Sequence, residues 1–375
     1  MKLKVSKDLL LGSLEDIQGI VERKSAMPIL SHFLFDCTGE IPLLYATDLE
    51  TAIRETIEVK AEKKGVVAIP ARPFISIVKE LEGEITLEEG ENFSLKISSG
   101  NINFNLACLD PKEFPNWPDI DPVVEINLRV DLLRTLIEKT VYAASDSDTR
   151  YVFNGILLHL QRDSLRAVGT DGHRLALYKS NIDLTIGGES NSSGELKVPE
   201  EVKVILPKKA VSELRRLIEA QMVTLKIGKN HVLVKTPGIE FLTKVIEGTY
   251  PNYEQVIPRS AARRLRVEKE ALEKALRRVS IISRERSNAV KFELSPSQLL
   301  ISASNPDLGT AEERLPVDFD GDPFTIGFNA RYILDSLDVI EKEWVIMEFN
   351  DPLGPSLLKG EDDEEYLSVI MPMRI

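Results

Sequence analysis

A pattern of strand, polar turn and strand occurs three times in this chain, and that recurrence constrains the fold more than any other feature. Thr47 and Thr170 lie 123 residues apart, and Ser304 follows Thr170 by 134. A recurrence at a nearly steady spacing is typical of repeated structural units. The three copies are LLYATDLETAIRE (43–55), LRAVGTDGHRLAL (165–177) and LLISASNPDLGTAEE (299–313).

Two amphipathic helix patterns accompany each copy. Pro70 and Pro207 suit the edge of a helix, where a missing N–H costs nothing, and Asn329 is a good N-cap residue. Alternating runs at 85–100 and 223–238 contain Gly/Asn turns and predict β-hairpins. The predicted helices are 7–22, 70–81, 129–143, 207–219, 268–284 and 329–341.

Two proline-rich segments divide the chain at a similar phase. FPNWPDIDP (114–122) and YPNYEQVIP (250–258) begin 136 residues apart. Because proline interrupts both helices and sheet ladders, we interpret these segments as linkers. The predicted domains are residues 1–122, 123–252 and 253–375.

The composition is that of a globular protein with several cores, since 43% of the 375 residues are hydrophobic and 29% are charged. No apolar run approaches the ~20 residues that span a bilayer, and the N-terminal segment lacks the apolar centre of a signal peptide. Cys37 and Cys108 have no CxxC spacing, so we interpret them as inert buried thiols, with a redox or metal role as the minor alternative. We therefore expect a cytoplasmic protein that does not bind a membrane.

Two short segments about two hundred residues apart carry unusually specific residue clusters, VGTDGHRLAL (168–177) and SVIMPMRI (368–375). Together they resemble the bacterial DNA polymerase III beta subunit family, the sliding clamps of replication, and the resemblance covers essentially the whole chain. It implies an α+β fold of three repeated clamp domains, each with two helices packed on curved antiparallel sheets. It also implies a head-to-tail homodimer that closes into a six-domain ring. A protein of this kind holds other enzymes on DNA, performs no chemistry and needs no cofactor.

In this family a pocket receives a short linear peptide with bulky apolar side chains from DNA polymerases, the clamp loader and other partners. Flexible methionines can adapt to different anchors, and burying Arg374 in an ordinary core without a partner would be costly. Phe153 stands where the family is usually aliphatic. The resemblance assigns to the pocket Phe153, Thr170, Gly172, His173, Arg174, Leu175, Pro251, Val256, Asn329, Tyr332, Met371, Pro372, Met373 and Arg374.

A ring around duplex DNA needs positive charge on its inner wall. The net charge is −13, yet six segments that contain the helices and some flanking residues together carry +7 and the remainder carries −20. These segments are 7–24, 70–80, 129–139, 207–219, 263–286 and 329–342. This separation favours a basic channel inside an acidic shell, although basic residues on exposed helix faces are the simpler alternative and 329–342 is weakly acidic. Nothing indicates sequence-specific contact. The predicted channel residues are Lys24, Arg72, Lys79, Arg134, Lys139, Lys208, Lys209, Arg215, Arg216, Arg277 and Arg278.

The resemblance also assigns a dimer interface. Phe104 and Leu106 match its apolar side in the first domain, and Ile281 and Ile282 match its side in the third. Pro73 stands near this interface where the family often carries a lysine. That departure puts one salt bridge in doubt and leaves the apolar contact intact.

Other functions find less support. Asp171 and His173 could serve catalysis with Ser145 or Cys108, but no GxSxG or HExxH signature is present. The acidic run 361–365 matches no calcium loop, and without GxxxxGK[ST] the chain is not an ATPase. The alternative from another class is a clamp-like peptide-binding scaffold, or a specialised clamp paralogue that does not act in bulk replication.

Overall fold

The computed structural model describes residues 1–22, 26–181, 200–217, 220–283 and 288–374. Six α-helices form within these ranges, and each was predicted from its apolar periodicity. Their bounds are α1 Lys7–Gln18, α2 Ala71–Glu80, α3 Val130–Glu138, α4 Lys208–Leu217, α5 Lys269–Val279 and α6 Ala330–Asp338. Five short 3-10 helices are Pro28–Ser31, Pro111–Glu113, Val141–Ala143, Tyr151–Asn154 and Tyr253–Gln255.

The same ranges contain 26 β-strands. The first thirteen are β1 Lys2–Ser6, β2 His32–Asp36, β3 Leu43–Thr47, β4 Thr51–Thr56, β5 Ala61–Lys63, β6 Val66–Pro70, β7 Glu84–Glu89, β8 Ser94–Ser99, β9 Ile102–Ala107, β10 Pro122–Arg129, β11 Gly155–Gln161, β12 Ser164–Thr170 and β13 Arg174–Asn181. The others are β14 Glu201–Pro207, β15 Met222–Gly228, β16 His231–Lys235, β17 Ile239–Lys244, β18 Arg263–Glu268, β19 Ala289–Ser295, β20 Gln298–Asn305, β21 Gly309–Pro316, β22 Asp318–Asp320, β23 Phe324–Asn329, β24 Trp344–Phe349, β25 Ser356–Gly360 and β26 Tyr366–Ile370. The pairs β7–β8 and β15–β16 confirm the two predicted hairpins.

Met1–Asp131 and Lys209–Val245 form one compact unit. One of its sheets has the strand order β5–β1–β7–β8–β9, so that β9 is an edge strand. The other has the order β10–β15–β16–β17–β4–β3–β2–β6. Every pair is antiparallel, which fits hairpins joined by short polar turns.

Residues 132–181, 200–208 and 246–374 belong to a second compact unit. Its larger sheet has the order β14–β11–β12–β13–β26–β25–β24–β18–β22. Its smaller sheet has the order β21–β20–β19–β23, so that β21 is an edge strand. These pairs are antiparallel as well.

The helices are amphipathic, and each is held by one buried face. α5 buries Leu272, Ala275, Leu276 and Val279, which recur at three- and four-residue steps along one face. A fully buried large apolar side chain contributes about 1.5–3 kcal/mol, so a charged residue at Leu276 would weaken the packing of this helix. The N-cap role of Asn329 is confirmed, because its side chain accepts a hydrogen bond from the Arg331 amide. None of the helices in the described ranges is long and apolar enough to cross a bilayer.

The ends of three helices were predicted four or five residues too late. α1 ends at Gln18 rather than 22, and α5 ends at Val279 rather than 284. α3 ends at Glu138, whereas the sequence pattern continued to 143, and a separate 3-10 turn covers Val141–Ala143. Thr140 gives the reason, since its hydroxyl donates to the carbonyl of Leu136 at 2.6 Å. A threonine that bonds back to the preceding turn competes with continued helix formation.

The polar turns of the first two repeats use the same hydrogen bonds. In the first, the Asp48 carboxylate accepts from the amides of Glu50 and Thr51, and the Thr47 hydroxyl donates to the carbonyl of Thr51. In the second, the amides of residues 173 and 174 donate to Asp171, and the hydroxyl of residue 170 donates to the carbonyl of residue 174. Both turns have Thr-Asp followed by two residues and a strand, and this shared local pattern builds the same turn twice.

The strand after each of these turns pairs with the last strand of the following repeat. β4 pairs with β17 in the first compact unit, and β13 pairs with β26 in the second. Each of these two sheets therefore contains strands from two consecutive repeats, and the paired strands are far apart in sequence. β21 follows the third turn in the same way and lies at a sheet edge.

Candidate functional site

An apolar cavity of about 130 Å³ opens on the second compact unit. Its wall combines the turn between β12 and β13, the end of β26 and the proline-containing segment 250–256. The lining residues are Phe153, Thr170, Gly172, Arg174, Leu175, Tyr250, Pro251, Asn252, Tyr253, Val256, Val369 and Met371. A concave, largely apolar surface with a few fixed polar groups is typical of a ligand site.

The turn at Gly172 requires glycine. Its φ is +87°, a left-handed conformation that side chains rarely adopt, and an added Cβ would stand 3.2 Å from the guanidinium of Arg150. The same Cβ would lie 3.5 Å from the ring of Phe153. The guanidinium in turn stacks on that ring, with its carbon 4.4 Å from the ring centre. Glycine thus lets Arg150 and Phe153 pack beside this turn, and Phe153 with Gly172 lines the cavity.

Arg174 is anchored from three directions. Its guanidinium donates to Asp171 at 3.1 Å, to Asp335 on α6 at 2.5 Å and to the carbonyl of Tyr142 at 2.8 Å. It also lies over the ring of Tyr332, 4.6 Å from its centre. Burial alone lowers the pKa of Arg174, but these carboxylates outweigh burial and raise it, so the side chain stays charged. Arg174 therefore fixes the turn to the third repeat.

The end of β26 forms another wall of the cavity. β26 pairs with β13 over Arg174–Tyr178, and the amide of Met371 then donates to the carbonyl of His173 at 2.8 Å. Two residues further on, the amide of Met373 donates to the carbonyl of Gly327. These two backbone hydrogen bonds thus hold residues 371–373 in place.

Four lining residues were not predicted: Tyr250, Asn252, Tyr253 and Val369. Tyr250 is buried, donates its hydroxyl to the carbonyl of Val168 at 3.1 Å and meets the Phe153 ring edge-on at 6.3 Å. The prolines of its segment predict a linker and not a cavity wall. The signal that could have found it is the pair of aromatic residues in YPNY, which recurs as FPNW in the first proline-rich segment.

The structure brings together eight of the fourteen predicted pocket residues. His173, Asn329, Tyr332, Pro372, Met373 and Arg374 do not line the cavity. His173 is exposed in the turn, Asn329 caps α6, and Tyr332 supports Arg174 from beneath. Pro372 to Arg374 continue from the cavity wall, so these three residues adjoin it in the chain.

Within the described ranges, seven of the eleven predicted channel residues form ion pairs with acidic side chains, and five of these seven are exposed. Lys209 contacts Asp48 at 2.6 Å, and Arg277 contacts Glu273 at 2.7 Å. Lys139 is buried and binds Glu341 at 2.8 Å. Further ion pairs are Lys79–Glu15, Lys208–Asp146, Arg216–Glu213 and Arg278–Glu313. Arg72 and Arg215 are exposed, Arg134 is half-buried, and Lys24 lies outside the described residues.

The residues predicted for the dimer interface lie at two exposed places. Phe104 and Leu106 belong to the edge strand β9, and the Phe104 side chain is 39% exposed. Ile281 and Ile282 follow α5, and Ile281 is 59% exposed. Both places offer apolar side chains to solvent.

The groups considered for catalysis or metal binding have other partners. The Asp171 carboxylate is used by the turn and by Arg174. Burial raises the pKa of the Cys37 thiol to about 11 and that of Cys108 to about 12, which makes both poor nucleophiles. Within the described ranges, no three His, Cys, Asp or Glu side chains are grouped to hold a metal ion.

Comparison with known proteins covers the whole chain. Residues 1–118, 127–252 and 254–374 match the N-terminal, central and C-terminal domains of the DNA polymerase III beta subunit. The beta sliding clamp of Pseudomonas putida is 34% identical over 382 residues, with 100% of both chains covered. The crystal structure of the DNA polymerase III subunit beta from Pseudomonas aeruginosa superposes with a TM-score of 0.92 at 31% identity, again over 100% of both chains. The Bartonella birtlesii clamp bound to griselimycin gives 0.92 at 33% identity, with 100% of both chains covered.

Proposed function

Because the chain belongs to the DNA polymerase III beta subunit family, the beta sliding clamps, we propose that two copies close into a ring around duplex DNA. The ring tethers DNA polymerases and other partners, including the clamp loader, and confers processivity without catalysing a reaction. Its place of work is the cytoplasm, where a bacterial chromosome is copied. The family match over the full chain supports this replication role over the scaffold alternative. We keep 1–122, 123–252 and 253–375 as the domain limits.

The apolar cavity carries the proposal for partner binding. Leu175, Val369 and Phe153 are buried at its floor, while Met371 and Val256 remain accessible at its rim. Such a lining accepts bulky apolar anchors, and a partner contributes binding energy through a few buried side chains. The predicted residues outside the cavity, among them His173 and Met373, adjoin it and belong to the proposed rim.

The test uses one methionine at the cavity and one elsewhere. Met371→Lys places a charge in the apolar wall, so we expect at least about a tenfold loss of affinity for a labelled peptide with two bulky apolar anchors. Met222→Lys is the matched control, since that methionine is 49% exposed and outside the cavity. Fluorescence anisotropy measures both. Equal affinities for the two variants would contradict the proposed site.

The strand pairing supports a head-to-tail ring. β4 and β13 each pair with the last strand of the next repeat. β21 is the corresponding strand of the third repeat, and it lies at a sheet edge. β9 is the last strand of the first repeat, and it also lies at a sheet edge. Joining β21 of one copy to β9 of another would repeat the same pairing. Such a contact is heterologous, and two copies give a closed assembly when the rotation closes. Averaged electron micrographs should then show six-lobed rings, and three-lobed arcs alone would contradict the ring.

The proposed DNA contact is electrostatic and sequence-independent. Lys79, Lys209, Arg277 and Arg278 are exposed on helices but paired with carboxylates, so the expected attraction for phosphates is weak. Weak attraction suits a ring that must slide. Affinity for linear duplex DNA should be low, fall as salt rises and remain the same for unrelated base sequences.

A further inference from the structure

Helices of neighbouring repeats are tied together at their C-terminal ends. In the first compact unit, Arg216 on α4 donates to the carbonyls of Glu15 and Asp16, which are acceptors left open at the end of α1. In the second compact unit, Nζ of Lys139, just after α3, donates to the carbonyl of Val339, just after α6. At both boundaries the first helix of one repeat thus contacts the second helix of the next.

The two boundaries use α1 with α4 and α3 with α6, which leaves α5 and α2. α5 is the first helix of the third repeat, and α2 is the second helix of the first. β21 and β9, the free edges that meet in the proposed ring, belong to the same two repeats. A head-to-tail ring would therefore bring α5 of one copy against α2 of another, and the inference below rests on that proposed ring. We call the contact of α5 and β21 of one copy with α2 and β9 of the other the seam.

Lys139 also forms an ion pair across its boundary. Its ammonium contacts the carboxylate of Glu341 at 2.8 Å, and the lysine is buried. Lys139 is the tenth residue counted from the start of α3, and Glu341 is the twelfth counted from the start of α6. The pair therefore joins the ends of two helices that belong to different repeats.

α5 and α2 carry the same two charges at the same places. Arg278 is the tenth residue counted from the start of α5, and Glu82 is the twelfth counted from the start of α2. The ends of α2 and α6 also match in structure. Leu81 and Ile340, which directly precede the two carboxylates, each donate their amide to the carbonyl three residues earlier. Arg278 and Glu82 are therefore the counterparts of Lys139 and Glu341.

Both side chains are able to take a further partner. Arg278 donates from Nε and Nη2 to the carboxylate of Glu313 on its own edge strand β21. Among the described residues, Nη1 of Arg278 has no acceptor, and a guanidinium has enough N–H groups for two carboxylates. Glu82 is exposed and forms no ion pair with a described residue. A cation with a free donor and an open carboxylate thus lie on the two sides of the seam.

We propose that Arg278 of one copy and Glu82 of the other form an ion pair across the seam, the counterpart between copies of Lys139 with Glu341. Glu313 and Glu82 then hold one guanidinium from two sides. Sequence counting assigned Arg278 to the DNA channel, and the pair gives it a role in assembly as well. Because the cation belongs to the third repeat and the carboxylate to the first, the pair favours head-to-tail association over other arrangements of two copies.

The experiment uses two charge reversals, each studied alone and then both mixed. Arg278→Glu places two carboxylates opposite each other at both seams of its dimer, and Glu82→Arg places two guanidinium groups there. We expect each variant alone to dimerise at least about tenfold more weakly than the unchanged protein in sedimentation velocity. In an equimolar mixture, a dimer with one copy of each variant has the reversed pair at one seam and the native pair at the other. The mixture should therefore dimerise to within about threefold of the unchanged protein.

Mixing separates a lost contact from a damaged fold, because a misfolded variant could not be rescued by the other. Glu62→Arg, on β5 at the opposite edge of the sheet from β9, is the control and should dimerise like the unchanged protein. Unweakened dimers of either variant alone, or no recovery in the mixture, would overturn the ion pair and leave the ring standing. If the unchanged protein forms no dimer, the proposed ring fails and the ion pair fails with it.

Discussion

The guanidinium of Arg174 and the carboxylate of Asp335 meet at 2.5 Å, and the two side chains are only 10% and 26% exposed. This contact joins the turn of the second repeat to α6 of the third. Since Arg174 lines the apolar cavity, a residue on α6 helps to fix the cavity without lining it.

Asp335→Asn should therefore weaken both folding and binding. Losing a charge-assisted hydrogen bond to a largely buried arginine costs about 1–2 kcal/mol in the free energy of unfolding, measured by urea denaturation. Peptide affinity should fall as well, because Arg174 keeps only Asp171 and a carbonyl. Asp338→Asn, which removes an exposed contact to Arg277, should change either quantity by less than about 0.5 kcal/mol. Equal effects of the two substitutions would refute this role.

Glu55 makes stability depend on pH. It is 8% exposed, one of its oxygens has no hydrogen-bond partner among the described residues, and burial raises its pKa to about 7 from an ordinary 4.5. The folded state therefore holds this proton more tightly than the unfolded state. The associated stability is complete below pH 4.5 and is lost as the pH rises to about 7.

Glu55→Gln should remove this dependence. At pH 8 the variant should exceed the unchanged protein in unfolding free energy by about 1–3 kcal/mol, with the difference vanishing near pH 4.5. Glu58→Gln, three residues away and exposed, is the control. Denaturation curves across this pH range measure the effect, and parallel pH profiles for Glu55→Gln and the unchanged protein would exclude it.

Gly172→Ala should damage the cavity and the turn together. The left-handed φ costs about 1–2 kcal/mol with a Cβ present, and the methyl would also press on the Arg150 guanidinium, which stacks on the Phe153 ring. Gly83→Ala has a similar φ, +68°, with nothing within 4 Å, so it isolates the backbone cost. Only the first substitution should lower peptide affinity. Loss of affinity in both would mean that stability, not cavity shape, controls binding.

Phe104→Arg should weaken the proposed dimer. The substitution places a charge on β9, where the aromatic side chain of Phe104 would be buried against another copy in the proposed dimer. Sedimentation velocity should show monomers at concentrations where the unchanged protein is dimeric. Ile41→Arg, at an apolar side chain that is 53% exposed and lies outside β9, should sediment like the unchanged protein. An unaltered dimer in Phe104→Arg would remove β9 from the interface.

Much of the fold was predictable because its signals are local. Asp48 and Asp171 sit in the same short turn pattern, and apolar periodicity located all six helices. The pairing of β13 with β26 was not predictable from spacing, since it joins Arg174 to Ile370 across almost the whole second half of the chain. The cavity inherits this limit: family resemblance supplied Met371 and Leu175, whereas Tyr250 and Tyr253 were hidden in a segment whose prolines suggested a linker.

The basic residues show the same limit for charge. Counting Lys and Arg along the helices gave an excess of positive charge, but Arg278 meets Glu313 on a strand 35 residues away. A count along the sequence includes the charges on a helix but omits the acidic side chains that the tertiary structure places next to them. The formal excess therefore overstates the positive potential at these helices.

Because β4 and β13 are each completed by a strand of the following repeat, the sequence repeat and the folding unit are out of phase. A fragment cut at a repeat boundary would lose the neighbour of one strand and expose an unpaired sheet edge, which invites aggregation. An exchange of repeats between relatives would have to carry the last strand of the next repeat along. Modularity in this chain belongs to the sheets and not to the stretches of sequence that repeat.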